Sequence, residues 1–73
     1  MNDILRESLD EALATIGIAT RKVKRITPVS DSAKGQRYRV FVPKYKRFGL
    51  LVFCEGDNVV TIRDENMKAL YEN

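Results

Sequence analysis

Between Arg37 and Phe48 the chain sets four of its six aromatic rings, Tyr38, Phe41, Tyr45 and Phe48, among Arg37, Arg39, Lys44, Lys46 and Arg47. These residue types suggest non-covalent recognition rather than bond-making. Guanidinium and ammonium groups neutralise phosphates, and an aromatic ring stacks on any base because every base has a π-face. A second group, "TRKVKRI" at residues 20–26, packs Arg21, Lys22, Lys24 and Arg25 into five positions. The plainer account is that such cations solubilise a hairpin and protect an edge strand against further pairing. Edge protection explains two or three of them. Four here, and six more in the next strand and its flanking loops, exceed that need.

Alternation sorts the candidates. In a strand over Gln36–Pro43, Tyr38, Val40 and Val42 share one face and Arg37, Arg39 and Phe41 the other. Tyr38 therefore reads as core. Phe41 is either a stacking platform or a plug beneath a second helix. Tyr45 and Phe48, in the turn "KYKRFG", are the aromatics expected to be exposed. The candidate contact set is Arg21, Arg25, Arg37, Arg39, Lys46 and Arg47 for phosphates, and Phe41, Tyr45 and Phe48 for stacking.

Other chemistries find little support. There is no histidine and one cysteine, Cys54, so neither an internal disulfide nor an ordinary zinc site is expected. Cys54 reads as a small buried apolar residue. Glu55, Asp57, Asp64 and Glu65 lack the spacing of a calcium loop, and turn and cap duties account for Asp57 and Asp64. Ser30 and Ser32 have no base partner, and "GDN" lacks a phosphate-cradling glycine run. Neither an enzyme nor a cofactor is expected.

The elements that would carry the cluster follow from periodicity. Leu5, Leu9, Ala12, Leu13 and Ile16 make a helical stripe over residues 3–16, capped by Asn2 or Asp3 and stopped at Gly17. Its outer face is acidic (Asp3, Glu7, Asp10, Glu11), which argues against an anionic membrane surface. A first strand is predicted from Ile18 to Thr27, at a sheet edge, with Arg21 and Arg25 pointing one way and Lys22 and Lys24 the other. Residues 28–35 read as a loop. Strands are predicted over Gln36–Pro43, Leu50–Glu55 and Val59–Arg63, the last two joined by the turn "EGDN". A short closing helix, capped by Asp64, would carry Met67, Leu70 and Tyr71. The fold class is thus α+β: an N-terminal amphipathic helix on a four-stranded antiparallel meander, with a short C-terminal helix. The strand at residues 50–55 is apolar on both faces, so the sheet is expected to be covered on more than one side, by the second helix or by another subunit. This element order resembles that of double-stranded-RNA-binding domains, and a helix before short strands is similar to Sm-like barrels. Only Lys68 falls in the predicted last helix and no Sm-like strand motif is present, so the resemblance implies no site residues.

Seventy-three residues make one domain. A chain this small buries only about 60% of its unfolded surface and draws support from a partner or second copy. Residues 21–47 hold ten Lys/Arg against Asp31, a local charge of +9, while residues 1–20 and 48–73 each carry −3. Such segregation bears on partners, not on fold. The expected partner is nucleic acid, or alternatively an acidic protein surface met by a small inhibitor or adaptor of the phage or mobile-element type. Homo-oligomerisation is a third expectation. No leader or membrane span is read, and with a free thiol the expected compartment is the cytoplasm of a complete small gene product.

Overall fold

The computed structural model describes residues 1–29 and 36–73. Most of the predicted loop lies outside them. The N-terminal helix α1 (Asp3–Thr15) starts where expected: the Asn2 side-chain oxygen accepts from the Leu5 N–H at 2.8 Å, satisfying one donor of the first turn. Leu5, Leu9, Ala12 and Leu13 are buried, and the acidic outer face is left to solvent.

Five strands follow: β1 (Arg25–Pro28), β2 (Gln36–Phe41), β3 (Leu50–Glu55), β4 (Asn58–Arg63) and β5 (Ala69–Glu72). They pair antiparallel in chain order, an unbroken meander. Strand alternation directs Tyr38, Val40, Leu50, Val52, Cys54 and Ile62 to one face, where they meet the α1 stripe in a single core. Two side-chain bonds fix the helix on the sheet. Ser8 Oγ accepts from Val59 N–H at 2.9 Å, and Asn2 Nδ2 donates to Asp57 Oδ1 at 2.8 Å, tying the helix start to the β3–β4 turn. Burial pushes the Cys54 thiol pKa up, which disfavours the thiolate. Cys54 should therefore resist a thiol-labelling reagent at neutral pH in native protein and react within seconds once denatured. Rapid native labelling would show that this end of the core opens.

Three expectations are corrected. Residues 18–27 are not one strand. Thr20–Lys22 is a 3₁₀ turn, closed by Lys22 N–H to Ala19 O and Val23 N–H to Thr20 O, and only Arg25–Pro28 pairs. A straight strand would have put Lys22 and Lys24 on the same side as Ile18 and Ile26. The curl lets Ile18, Val23 and Ile26 all reach the core while Arg21, Lys22 and Lys24 stay exposed.

The C-terminal helix is also absent: the segment reverses and adds β5. Asp64 Oδ1 accepts from the Asn66 and Lys68 N–H groups at 2.9 and 3.0 Å, and Met67 takes φ = 62°. That closes a turn instead of opening a helix. Pairing with β5 also satisfies backbone groups of β4 that a closing helix would have left open. With this helix gone, the element order no longer matches that of a double-stranded-RNA-binding domain. A second helix as cover over β3 is missing for the same reason, and α1 is the only α-helix among the described residues. No described helix is long and apolar enough to cross a membrane.

Candidate functional site

The face of the sheet turned away from α1 carries a lattice of guanidinium groups and rings. Strand register sets its rows. Arg25 lies opposite Phe41; Thr27, Arg39, Leu51, Arg63 and Ala69 form a second row; Arg37, Phe53, Thr61 and Glu72 form a third. Phe41, Leu51 and Phe53 are half-buried, and among the described residues no helix covers them. Arg25 sits over the Phe41 ring at 4.4 Å and Arg37 near Phe53 at 5.9 Å, both within cation–π range. Arg39 Nη1 donates to the Phe48 carbonyl at 2.9 Å, and Arg63 Nη1 to the Met67 carbonyl at 2.8 Å. Two of the four arginines thus lie within reach of a ring and two are held by a main-chain carbonyl.

Electrostatically the molecule has two sides. Among the described residues the four arginines share their strand rows with one carboxylate, Glu72, while Asp64 and Glu65 stand beside Arg39 at the margin of the face. The exposed acids of α1 lie on the far side of the sheet, and the only ion pair among the described residues, Arg6–Asp10 at 3.0 Å, is on that helix. Exposed charges farther apart than a Debye length of about 8–10 Å are largely screened from one another, so the acids of α1, across the helix and sheet, leave the open face with a positive potential.

The two basic segments meet in space. The Lys24 N–H donates to the Phe41 carbonyl at 2.7 Å, extending the β1–β2 pairing, and Lys24, Arg25, Phe41 and Lys46 line one depression. Arg21 and Lys22 face Lys44 across another, below the edge of the sheet. Of the candidate set, Arg25, Arg37, Arg39 and Phe41 lie on the open face and Lys46 at its margin. Arg21 lies around the corner beside Lys44. Arg47 stacks on Phe48, 5.4 Å from its ring centre. Phe48 is 45% exposed, whereas Tyr45 packs against the core and serves as the hairpin's anchor. Phe41 has no helix above it.

Sequence reasoning does not reach Leu51, Phe53 and Arg63, which stand in the same rows as Arg37 and Arg39. Strand parity held the signal, because Leu51 and Phe53 alternate against the core residues of β3 and Arg63 continues the Arg39–Leu51 row. Their apolar character was instead read as a demand for a covering element. No protein-family model, curated protein or solved structure matches this chain.

Proposed function

We propose that this chain is a small nucleic-acid-binding module that holds single-stranded or structured DNA or RNA against the open face of its sheet, without catalysing a reaction. The observation that supports it is the lattice of Arg25, Arg37 and Arg39 interleaved with Phe41 and Phe53 on a face that no helix covers among the described residues. Arg25, Arg37, Arg39, Lys46 and Arg47 neutralise phosphates, with Arg21 extending the track around the sheet edge. Phe48 and Phe41 offer rings, and a guanidinium lying flat on a ring is itself a platform for a base. The acidic helix repels the strand from the wrong side and so orients the encounter.

Engaging three to five phosphates of a single strand gives a log–log salt slope of about −2 to −4. Anisotropy titrations of a labelled single strand and a duplex at about 50 and 200 mM salt measure it. Tightening at low salt with that slope is the expected result. No binding to either at low salt would end this reading.

One observation favours a second reading, a protein-interaction module docking on an acidic partner. The Arg25 guanidinium already covers one side of Phe41 at 4.4 Å, so a base must displace it or stack above it, while a carboxylate would meet it directly. The two part on nuclease digestion. A complex that persists after nuclease and contains a single stoichiometric acidic protein belongs to the second.

A further inference from the structure

We propose that the cavity between Phe48 and Met67 is a base-selecting pocket that takes one unpaired guanine of a bound strand, with Glu65 accepting from its N1–H and 2-amino groups. This deepens, and rests on, the nucleic-acid reading. The cavity, of about 210 Å³, opens beside the arginine face and is lined by Arg39, Phe48, Leu51, Asp64, Glu65 and Met67. That is room for a single base.

Phe48 and Met67, 45% and 50% exposed, are the most exposed large apolar side chains after α1 among the described residues. Both are held there. Arg39 and Arg63, which flank Leu51 in the sheet, reach outward and bind the carbonyls of Phe48 and Met67 respectively. Met67 also keeps a left-handed backbone, φ = 62°, against its ordinary preference. The Asp64 turn enforces it through Met67 N–H to Asp64 O at 2.9 Å and the two bonds to Asp64 Oδ1. An aromatic and a thioether side chain thus stand as jaws over a Leu51 floor, a stacking slot of the kind an unpaired base fills.

A second, independent feature is the neighbouring cavity of about 240 Å³, which shares Phe48 and Glu65 and is lined by Lys44, Lys46 and Arg47. Arg39, Asp64 and Glu65 line the first cavity with Phe48, Leu51 and Met67, while Lys44, Lys46 and Arg47 gather on the other side of the shared Phe48 and Glu65 wall. A nucleotide has that polarity, a base joined to phosphate. An arginine from a protein partner would also suit a ring and a carboxylate, but three cations across the wall disfavour it.

The carboxylate selects the base. Asp64 Oδ1 is engaged in its own turn, whereas Glu65 lines both cavities and is the carboxylate assigned to the ligand. A carboxylate only accepts, and it wants two adjacent N–H donors. Guanine offers them on its Watson–Crick edge. Adenine and cytosine place a donor beside an acceptor, and thymine and uracil place one donor between two carbonyls. A bidentate base contact discriminates by roughly tenfold or more.

The test is a short labelled oligothymidine strand with one central guanine, inosine, adenine or cytosine, titrated by anisotropy at low salt. Guanine should bind about tenfold tighter than adenine or cytosine, with inosine, which lacks the 2-amino donor, in between. Glu65→Ala should erase that preference yet bind the adenine strand slightly more tightly, since a charge repelling phosphate is gone. Met67→Gly should raise the melting temperature, by relieving the left-handed backbone, while weakening the guanine preference. Equal wild-type affinity for all four strands would overturn the pocket and leave the arginine face standing. Absence of binding to any of the four would overturn both.

Discussion

Replacing Arg25, Arg37 and Arg39 together by alanine is expected to weaken single-strand binding by about 10²- to 10³-fold at low salt and to flatten the salt slope by about 2. Each phosphate contact on a single strand contributes roughly 0.7 to the slope, hence close to one decade of affinity at about 50 mM salt, and three are removed at once. The fold should survive. All three side chains stand on the open face, outside the core that α1 and the inner sheet face build. The losses are the two cation–π contacts and the Arg39–Phe48 hydrogen bond, each about 1 kcal/mol or less at such exposure. Arg6→Ala is the matched control. It also removes one cation, but from the acidic helix on the far side, where Arg6 is paired with Asp10. Its affinity should stay near wild type. If Arg6→Ala and the triple variant weaken binding equally per charge, total charge and not the face governs binding.

Arg25→Lys separates charge from shape at the same site. A lysine keeps the phosphate contact but lacks the planar guanidinium whose carbon sits 4.4 Å from the Phe41 ring centre. An unchanged salt slope with weaker affinity would assign Arg25 a stacking part as well as an electrostatic one.

What the sequence disclosed, and what it hid, follows from how far along the chain each feature is decided. The α1 stripe needs only its own thirteen residues, and both its burial and its acidic face were legible. So was the parity of β2, which alone assigns Tyr38 to the core and Arg37, Arg39 and Phe41 to the other side. Residues 64–73 were misread because their outcome depends on a neighbour. Met67, Leu70 and Tyr71 fit a helical spacing, yet β4 has backbone groups to satisfy and Asp64 is placed to close a turn. Propensity over ten residues is a weak prior against an unfilled sheet edge. The same error concealed the open face, since the missing helix was the expected cover for Leu51 and Phe53. Tyr45 and Phe48 show the limit of another kind: turn residues have no alternation. Nothing local says which of the two packs inward and which stands in solvent.

Gly49→Ala is expected to destabilise the fold by about 3 kcal/mol or more, because it adds a left-handed-backbone cost of about 1–2 kcal/mol to a collision with main chain. Gly49 has φ = 72°, and a Cβ there would lie 2.8 Å from the Val40 carbonyl oxygen and 3.2 Å from both Arg39 Cγ and Phe41 Cδ1. The oxygen belongs to a β-ladder strand and cannot swing aside, so the turn must move away from β2. For a chain of this size the melting temperature should fall by about 12 °C or more. Gly56→Ala calibrates the measurement: its φ is 58°, but an added Cβ meets nothing within 4 Å, so only the backbone cost of about 1–2 kcal/mol applies. Equal losses at the two glycines would mean that the close approach of the turn to β2 is not a feature of the protein in solution. The position also couples fold to site. The residues that a Cβ would displace are Arg39 and Phe41, and the same turn carries Phe48, whose carbonyl Arg39 holds. At temperatures where Gly49→Ala remains folded, it should therefore bind a single strand more weakly than Gly56→Ala does. The turn that closes the β2–β3 hairpin is then the element that spaces the arginine lattice from the exposed ring beside it.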